Sequence, residues 1–224
     1  MKVVIVGGVA GGATAAARIR RLDEKAQIVV FERSGYISYA NCGLPYYIGD
    51  VITDAEELTL QSPESFYSRF RVDMRVHHEV TAIHPERKTV SVKNLKTGEE
   101  FEESYDKLIL SPGAKPTQPR FFGADLDKVF TLRTVEDTIR IKNYINENHP
   151  KSAVLAGGGF IGLELAENLR ELGMDVTVVE YAKQLMSPFD SDMAAFIHNE
   201  MRKHDVKLVL GRAVEGFEEK DGGV

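Results

Sequence analysis

The sequence contains only one cysteine, no tryptophan, no long apolar segment and no excess of basic residues. One cysteine cannot form a disulfide within the chain, which excludes a small secreted scaffold held by disulfides. No apolar stretch approaches the roughly 20 residues of a membrane-spanning helix. Acidic residues outnumber basic ones by 34 to 28, whereas a general nucleic-acid binder needs a basic surface. The 224 residues therefore predict a cytoplasmic globular protein of one large or two modest domains, without membrane or nucleic-acid partners.

The first 32 residues have the pattern of a βαβ unit. The apolar run Lys2–Val6 predicts a strand buried on both faces, the Ala-rich stretch Ala13–Leu22 predicts a helix, and Ile28–Phe31 predicts a second strand that ends at Glu32. The intervening turn consists of Gly7, Gly8, Val9, Ala10, Gly11 and Gly12. It departs from G-x-G-x-x-G at the middle position, where the Cβ of Val9 would crowd a pyrophosphate. Glu32, twenty residues after Gly12, supports a dinucleotide site as a ribose ligand.

The same order of elements returns in the second half of the chain, with Ser152–Ala156, Leu163–Leu172 and Val176–Glu180 as strand, helix and strand. Here the turn matches G-x-G-x-x-G in full: Gly157, Gly158, Gly159, Phe160, Ile161 and Gly162. A pyrophosphate is expected at the start of the helix, where free N–H groups favour anions. Glu180 stands where a carboxylate binds a ribose hydroxyl and repels a 2′-phosphate, which favours NADH over NADPH. A packing turn without a ligand is the alternative.

Between the two units, Lys88–Leu95 and the stretch up to Tyr105 alternate as in a β-hairpin. Lys115–Pro119 has the composition of a linker, and Thr134–Asn146 that of a helix with Thr134 as its N-cap. We therefore expect a FAD-binding domain at residues 1–115, a linker and connecting helix at 116–148, and an incomplete NAD(H)-binding domain at 149–224. The closing residues have the pattern of a hairpin without its return strand, so we expect the front part of a longer protein.

Cys42 follows the first unit, in a Gly/Pro-containing segment that could begin a short helix. A lone cysteine is most often a buried, inert side chain. Two dinucleotide sites in one chain are, however, best explained by one flavin and one nicotinamide that exchange a hydride. Beside a flavin and at a helix start, the thiolate form of Cys42 would be favoured. Since the chain has no second cysteine, the other sulfur of any disulfide chemistry must come with the substrate.

Three polar residues of the first predicted helix share one face, since Thr14, Arg18 and Arg21 have the spacing i, i+4 and i+7. They form either a solvated basic stripe or a clamp for a phosphorylated substrate. The histidines do not have the spacing of metal ligands, and His77 and His78 are expected to point to opposite faces of one strand. We therefore expect no metal site.

These features resemble the single-cysteine branch of the flavin-dependent pyridine nucleotide–disulfide oxidoreductases, and most closely the coenzyme A-disulfide and NADH-dependent persulfide reductases. The resemblance runs along the whole chain. It rests on Gly7–Gly12, where that branch tolerates valine, and on Ser38–Tyr46, Tyr105–Ala114, Gly157–Glu164 and Pro188–Asp190. It implies an α/β fold with two Rossmann-like dinucleotide-binding domains of the glutathione-reductase type, each with three ββα layers. The sequence would end before a C-terminal dimerisation domain, and the parent would be a homodimer.

The resemblance also implies a role for individual residues. FAD would be bound by Gly7, Gly8, Val9, Ala10, Gly11, Gly12, Glu32, Arg33, Asn41, Val80, Ser111, Pro112, Gly113 and Arg133. NADH would be bound by Gly157, Gly158, Gly159, Phe160, Ile161, Gly162, Glu164 and Glu180. Coenzyme A, as substrate or ligand, would contact Thr14, Arg18, Arg21, Ser38 and Asn41. A basic position of the family matches Phe70 here, so that contact is in doubt, with Arg69 and Arg71 as candidates to replace it.

In this interpretation, Cys42 attacks a coenzyme A disulfide or a persulfide and forms a mixed disulfide that the reduced flavin resolves. Three alternatives are an NADH oxidase or peroxidase that cycles Cys42 through a sulfenic acid, an electron-transfer reductase, and a non-catalytic nucleotide-binding module. We expect the parent protein to be an enzyme and the 224-residue chain alone to have little or no turnover. A rhodanese domain beyond Val224 would favour persulfide chemistry.

Overall fold

The structure is a computed structural model that describes residues 1–117, 122–220 and 222–224, so the end of the predicted linker lies outside the described residues. The strands are β1 (Lys2–Val6), β2 (Gln27–Glu32), β3 (Asp73–Val76), β4 (His78–His84), β5 (Thr89–Asn94), β6 (Glu100–Ser104), β7 (Lys107–Leu110), β8 (Ser152–Ala156), β9 (Asp175–Glu180) and β10 (Lys207–Leu210). The α-helices are α1 (Ala10–Leu22), α2 (Leu44–Ile48), α3 (Pro63–Phe70), α4 (Val135–Asn148), α5 (Phe160–Glu171) and α6 (Ser191–Lys203). Short 3₁₀ helices span Asn41–Gly43 and Ala55–Leu58.

The chain divides into two compact units. The first unit contains residues 1–40 and 56–114, and the second contains 41–55 and 115–224. Residues 41–55, which include Cys42, therefore belong with the second glycine turn in this division. Which unit binds which cofactor stays a prediction at this point.

The first unit has three layers. A parallel sheet in the order β3-β2-β1-β7 lies at its centre, and β4-β5-β6 form an antiparallel sheet. Residues of β1 and β2 alternate between two cores: Val3 and Ile5 pack with α1 and α3 residues, while Val4 packs with the antiparallel sheet at Val90 and Val92. This alternation explains why both strands are continuous apolar runs.

The second unit contains a parallel sheet in the order β10-β9-β8. Its core includes Val176 and Val178 of β9, Ala166 and Leu169 of α5, and Ile48 of α2. The predicted N-cap of α4 is confirmed, because Thr134 and Asp137 form a reciprocal capping box. The α/β class with Rossmann-type parallel sheets is thus confirmed.

The prediction for His77 is wrong. It does not lie in a strand with His78 but occupies the turn between β3 and β4, with a φ of 57°. Its N–H donates to the carbonyl oxygen of Ser34 at 3.0 Å. The adjacent valine and histidines have the pattern of one β-strand. Histidine adopts a positive φ more often than most residues, but the conformation is still uncommon, so the pattern outweighed this weak signal.

Candidate functional site

The first glycine turn is built around a close backbone contact. Gly7 has a φ of +97°, and a Cβ on Gly12 would lie 1.8 Å from the carbonyl oxygen of Gly7. Both positions therefore require glycine. Glu32, at the end of β2 and only 8% exposed, accepts hydrogen bonds from Gly8 N–H and Ser34 N–H, both at 2.8 Å. The carboxylate is thereby fixed beside the turn.

The second glycine turn repeats this geometry in the second unit. Gly157 has a φ of +115°, and a Cβ on Gly162 would lie 2.2 Å from the Gly157 carbonyl oxygen. Glu180, at the end of β9, accepts from Gly158 N–H and from Ala182 N–H, both at 2.6 Å. The two turns and their two glutamates thus form one arrangement that occurs twice in the chain.

Both turns fit a dinucleotide pyrophosphate. Within the described residues, no side chain caps the start of α1 or of α5, so the first N–H groups of both helices are left to an external acceptor. A Cβ on Gly159 would have no atom within 4 Å, so the space above the second turn is open. In the first turn the same position holds Val9, which is half-buried.

The predicted Ser-Pro-Gly turn lies against the first glycine turn. Ser111 N–H donates to the Val6 carbonyl oxygen at 2.8 Å, and a Cβ on Gly7 would lie 2.0 Å from the Ser111 carbonyl oxygen. Ser38, with a φ of 46°, donates its N–H to the Gly8 carbonyl oxygen at 3.0 Å. The fold therefore brings Ser38 and Ser111 to the backbone of one turn in the first unit.

Other predicted residues of the first unit lie elsewhere in it. Val80 is half-buried on β4 and packs against the core between the two sheets, and Arg33 is exposed directly after β2. Thr14, Arg18 and Arg21 are all exposed on α1. Their shared face is thus accessible to a ligand.

Phe70, which replaces a basic position of the family, is a packing residue. Its ring centroid lies 4.8 Å from that of Phe66, and the guanidinium of Arg69 stands 5.1 Å over the Phe70 ring. Arg71 is exposed at the left-handed C-cap of α3. Arg69 and Arg71 are thus exposed on this surface, while the side chain of Phe70 has no polar group and only its carbonyl oxygen accepts a hydrogen bond, from Nε of Arg20 at 2.8 Å.

Cys42 lies in the second unit, in the 3₁₀ turn Asn41–Gly43 that leads directly into α2. Its side chain is exposed, as a thiol that reacts with a substrate must be. The neighbouring Asn41 accepts a hydrogen bond through Oδ1 from Nη1 of Arg133 at 2.7 Å. Two predicted flavin-side residues, Asn41 and Arg133, therefore bind each other within this unit.

Tyr46, which the sequence does not single out, lies in the electrostatic surroundings of Cys42. Burial, together with electrostatic interactions with Glu167, Glu164 and Cys42, raises the pKa of its phenol. Its neutral hydroxyl thus lies in the electrostatic field of both the thiol and Glu164, a predicted NADH residue. The signal was its place four residues after Cys42, since residues i and i+4 share a face in a helical segment.

Phe160 begins α5 directly after the Gly157–Gly159 part of the turn and is 63% exposed. It contacts Phe189 edge to face, with ring centroids 6.4 Å apart. Ile161 is also exposed, whereas Glu164 is half-buried. The start of α5 thus presents an exposed aromatic ring, and the role of Phe160 in binding NADH stays a prediction.

Among the described residues, no three His, Cys, Asp or Glu side chains are grouped so that they could hold a metal ion. In the same part of the chain, no helix has the length and apolar character needed to cross a bilayer.

The family model described as pyridine nucleotide-disulphide oxidoreductase matches residues 1–224. The chain belongs to this family. It is 44% identical over 216 residues to a coenzyme A disulfide reductase of Staphylococcus aureus (strain MRSA252), a match that covers 96% of this chain and 49% of that protein. The predicted family is thereby confirmed, and the chain spans about half the length of this relative.

Two solved structures extend the similarity to the fold. Reduced Bacillus anthracis CoADR-RHD is 53% identical with a TM-score of 0.95, and the match covers 99% of this chain and 40% of that one. A NAD-dependent persulfide reductase from A. fulgidus is 35% identical with a TM-score of 0.94, covering 99% of this chain and 42% of that one. Both likenesses thus extend along nearly the whole of this chain and about two fifths of each neighbour.

Proposed function

We propose that the full-length protein reduces the disulfide of coenzyme A, or a related low-molecular-weight persulfide, with electrons from NADH that pass through FAD to Cys42. The observation that carries this proposal is the duplicated glycine turn with its fixed glutamate, joined in one chain to a single exposed thiol. One dinucleotide site would bind NADH, the electron donor, and the other would bind FAD, which passes the electrons on. The thiol of Cys42 would then transfer them to the substrate. The similarity to a coenzyme A disulfide reductase and to a persulfide reductase supports the choice of substrate.

The chain's own residues would bind the two cofactors in the same way. The start of α1 and Glu32 would hold the FAD pyrophosphate and ribose, and the start of α5 and Glu180 would hold those of NADH. Bound FAD and NADH would supply hydride transfer, which no amino-acid side chain can perform. Glu180 is a carboxylate beside the second turn, and a negative charge there disfavours the 2′-phosphate of NADPH.

Cys42 would perform the sulfur chemistry. Its thiolate attacks one sulfur of the disulfide, forms a mixed disulfide, and releases the other half as a thiolate that takes up a proton. Two electrons from NADH then cleave the mixed disulfide, and the second thiol leaves. The sum is one disulfide, one NADH and one proton giving two thiols and NAD⁺, so the lone cysteine is sufficient. With a persulfide the same sum gives one thiol and hydrogen sulfide.

The test is Cys42→Ser in the full-length protein, assayed for NADH oxidation with coenzyme A disulfide as acceptor. We expect turnover to fall by about three orders of magnitude or more, because the nucleophile is lost. Reduction of ferricyanide, which accepts electrons from a flavin without a thiol, should persist and shows that both cofactors still bind. Full disulfide reduction by the variant would instead support an electron-transfer reductase. Far faster consumption of peroxide than of disulfide by the wild type would support a peroxidase.

A further inference from the structure

Lys142 is a buried lysine for which the proposed reaction has no use. It is 7% exposed, and lysines are almost never buried without a partner. Its ammonium donates to the backbone carbonyl oxygen of Ile48 at 3.0 Å and lies 2.7 Å from the carboxylate of Asp50. All three residues belong to the second unit. Burial of this charge is thus compensated by two oxygens of one short segment.

The segment that Lys142 holds is the end of α2. The last carbonyl groups of a helix have no donor within the helix, and the Ile48 carbonyl is one of these. The ammonium supplies that donor, and its positive charge suits the C-terminal end of a helix dipole. Asp50, two residues later, has a left-handed φ of 63° and places its carboxylate on the same ammonium. Lys142 therefore caps the C-terminal end of α2.

The other end of this segment carries Cys42. Helices of three and five residues are not stable by themselves, so the position of Cys42 depends on contacts from outside the segment. Arg133, just before α4, holds Asn41 at 2.7 Å. Gly49 packs closely on Asn168: a Cβ on Gly49 would lie 2.0 Å from Oδ1 of Asn168. Together with Lys142, these contacts fasten the segment at both ends.

We propose that Lys142 is a positioning residue for Cys42: by holding the end of α2 it sets the place of the thiol at the start of the same segment. The inference rests on the redox role proposed for Cys42. Without the ammonium, α2 loses its C-terminal donor and its ion pair, and the thiol is no longer held in one geometry. The second glycine turn and Glu180, which form no hydrogen bond with Lys142 among the described residues, keep their structure.

The test compares Lys142→Met, Lys142→Arg and wild type in the full-length protein with two electron acceptors. Coenzyme A disulfide needs the thiol, whereas ferricyanide does not. We expect Lys142→Met to lower the ratio of disulfide turnover to ferricyanide turnover about tenfold, since small displacements of a reacting group are costly. Lys142→Arg should restore most of the ratio. Lys203→Met is the matched control, because it removes an exposed lysine that pairs with Glu200 at 3.1 Å in the same unit, and its ratio should equal that of wild type.

A merely structural lysine would lower both activities together, and an unchanged ratio in folded Lys142→Met overturns the proposal. Should that variant fail to fold, Asp50→Asn decides, because Asp50 is exposed and its loss removes the ion pair alone. A ratio lowered about threefold by Asp50→Asn supports the proposal, and an unchanged one overturns it. If wild type has no disulfide reductase activity, or Cys42→Ser keeps it, the proposed function fails first, and the two failures are distinguishable.

Discussion

The carboxylate of Glu180 accepts a hydrogen bond from the backbone N–H of Gly158 across 2.6 Å. Its other oxygen accepts from Ala182 N–H at the same distance, so both oxygens are held by the backbone rather than by a mobile side chain. A ribose hydroxyl that arrives at the turn would meet an acceptor already in place. Since Glu32 holds the same relation to Gly8, the chain presents two such acceptors, one in each unit.

We predict that Glu180→Gln raises the dissociation constant for NADH about tenfold or more, because hydrogen bonds to charged groups contribute about 1.5–3 kcal/mol. A glutamine offers one acceptor oxygen where the carboxylate offers two, and it carries no charge. The ratio of NADPH to NADH dissociation constants should decrease, because the variant has no negative charge to repel the 2′-phosphate. Titration of the protein with each nucleotide measures both effects. Glu32→Gln is the matched control, and an equal loss of NADH affinity there would show that the second turn is not the NADH site.

A second prediction contrasts the same substitution at two glycines of one turn. Gly162→Val should destabilise the chain by about 2 kcal/mol or more, because its Cβ would lie 2.2 Å from a backbone oxygen. Gly159→Val should change the free energy of unfolding by less than about 1 kcal/mol, since its Cβ has no atom within 4 Å and the first turn already holds Val9 at that position. Urea unfolding of both variants measures the difference.

The affinity for NADH distinguishes Gly159 from Gly162 as well. The side chain of Gly159→Val would occupy the open space through which a pyrophosphate approaches, so NADH affinity should fall several-fold in a protein of near-normal stability. Equal destabilisation by both substitutions would contradict the assignment of Gly159 to ligand approach and Gly162 to helix packing.

The strands of both βαβ units could be predicted from the sequence because their signals are local. The apolar runs Lys2–Val6 and Ser152–Ala156 coincide with β1 and β8. The predicted starts of both helices lie three residues after the observed ones. The glycines in the first turn of α1 and the Phe-Ile-Gly of α5 are typical of turns, so the sequence assigns them to the preceding turn. The left-handed residue at His77 was missed because a positive φ is uncommon even for histidine, which adopts it more often than most residues, and the flanking residues predict one continuous strand.

The contacts around Cys42 could not be predicted because they join residues far apart in the chain. Lys142 bonds to Ile48, 94 residues away, and Arg133 bonds to Asn41, 92 residues away. A partial signal existed for Lys142: with Val135 and Thr138 it forms the buried stripe of α4, at a position where an apolar residue is usual. A lysine in such a stripe indicates a paired charge, but the sequence does not name its partner.

A third prediction concerns pH and His198, which accepts a hydrogen bond through Nε2 from the backbone N–H of Leu185 at 2.9 Å. Burial, and to a lesser extent the positive charge of Arg202, lowers the pKa of this imidazole from its ordinary value of 6.5. The unfolded chain therefore binds the proton at a higher pH than the folded chain. The stabilisation from His198 is complete above about pH 6.5 and decreases as the pH falls from there towards the folded pKa.

The free energy of unfolding should accordingly fall below about pH 6.5 in wild type, and less so in His198→Gln, whose amide oxygen still accepts from Leu185. His198→Ala should be less stable at every pH, because the buried N–H of Leu185 loses its partner. Like His198→Gln, it should lack the part of the pH dependence that comes from His198. Urea unfolding across this range measures all three. The difference between wild type and His198→Gln removes contributions from other titrating groups, so a difference that is constant with pH would show that His198 is not held neutral by the fold.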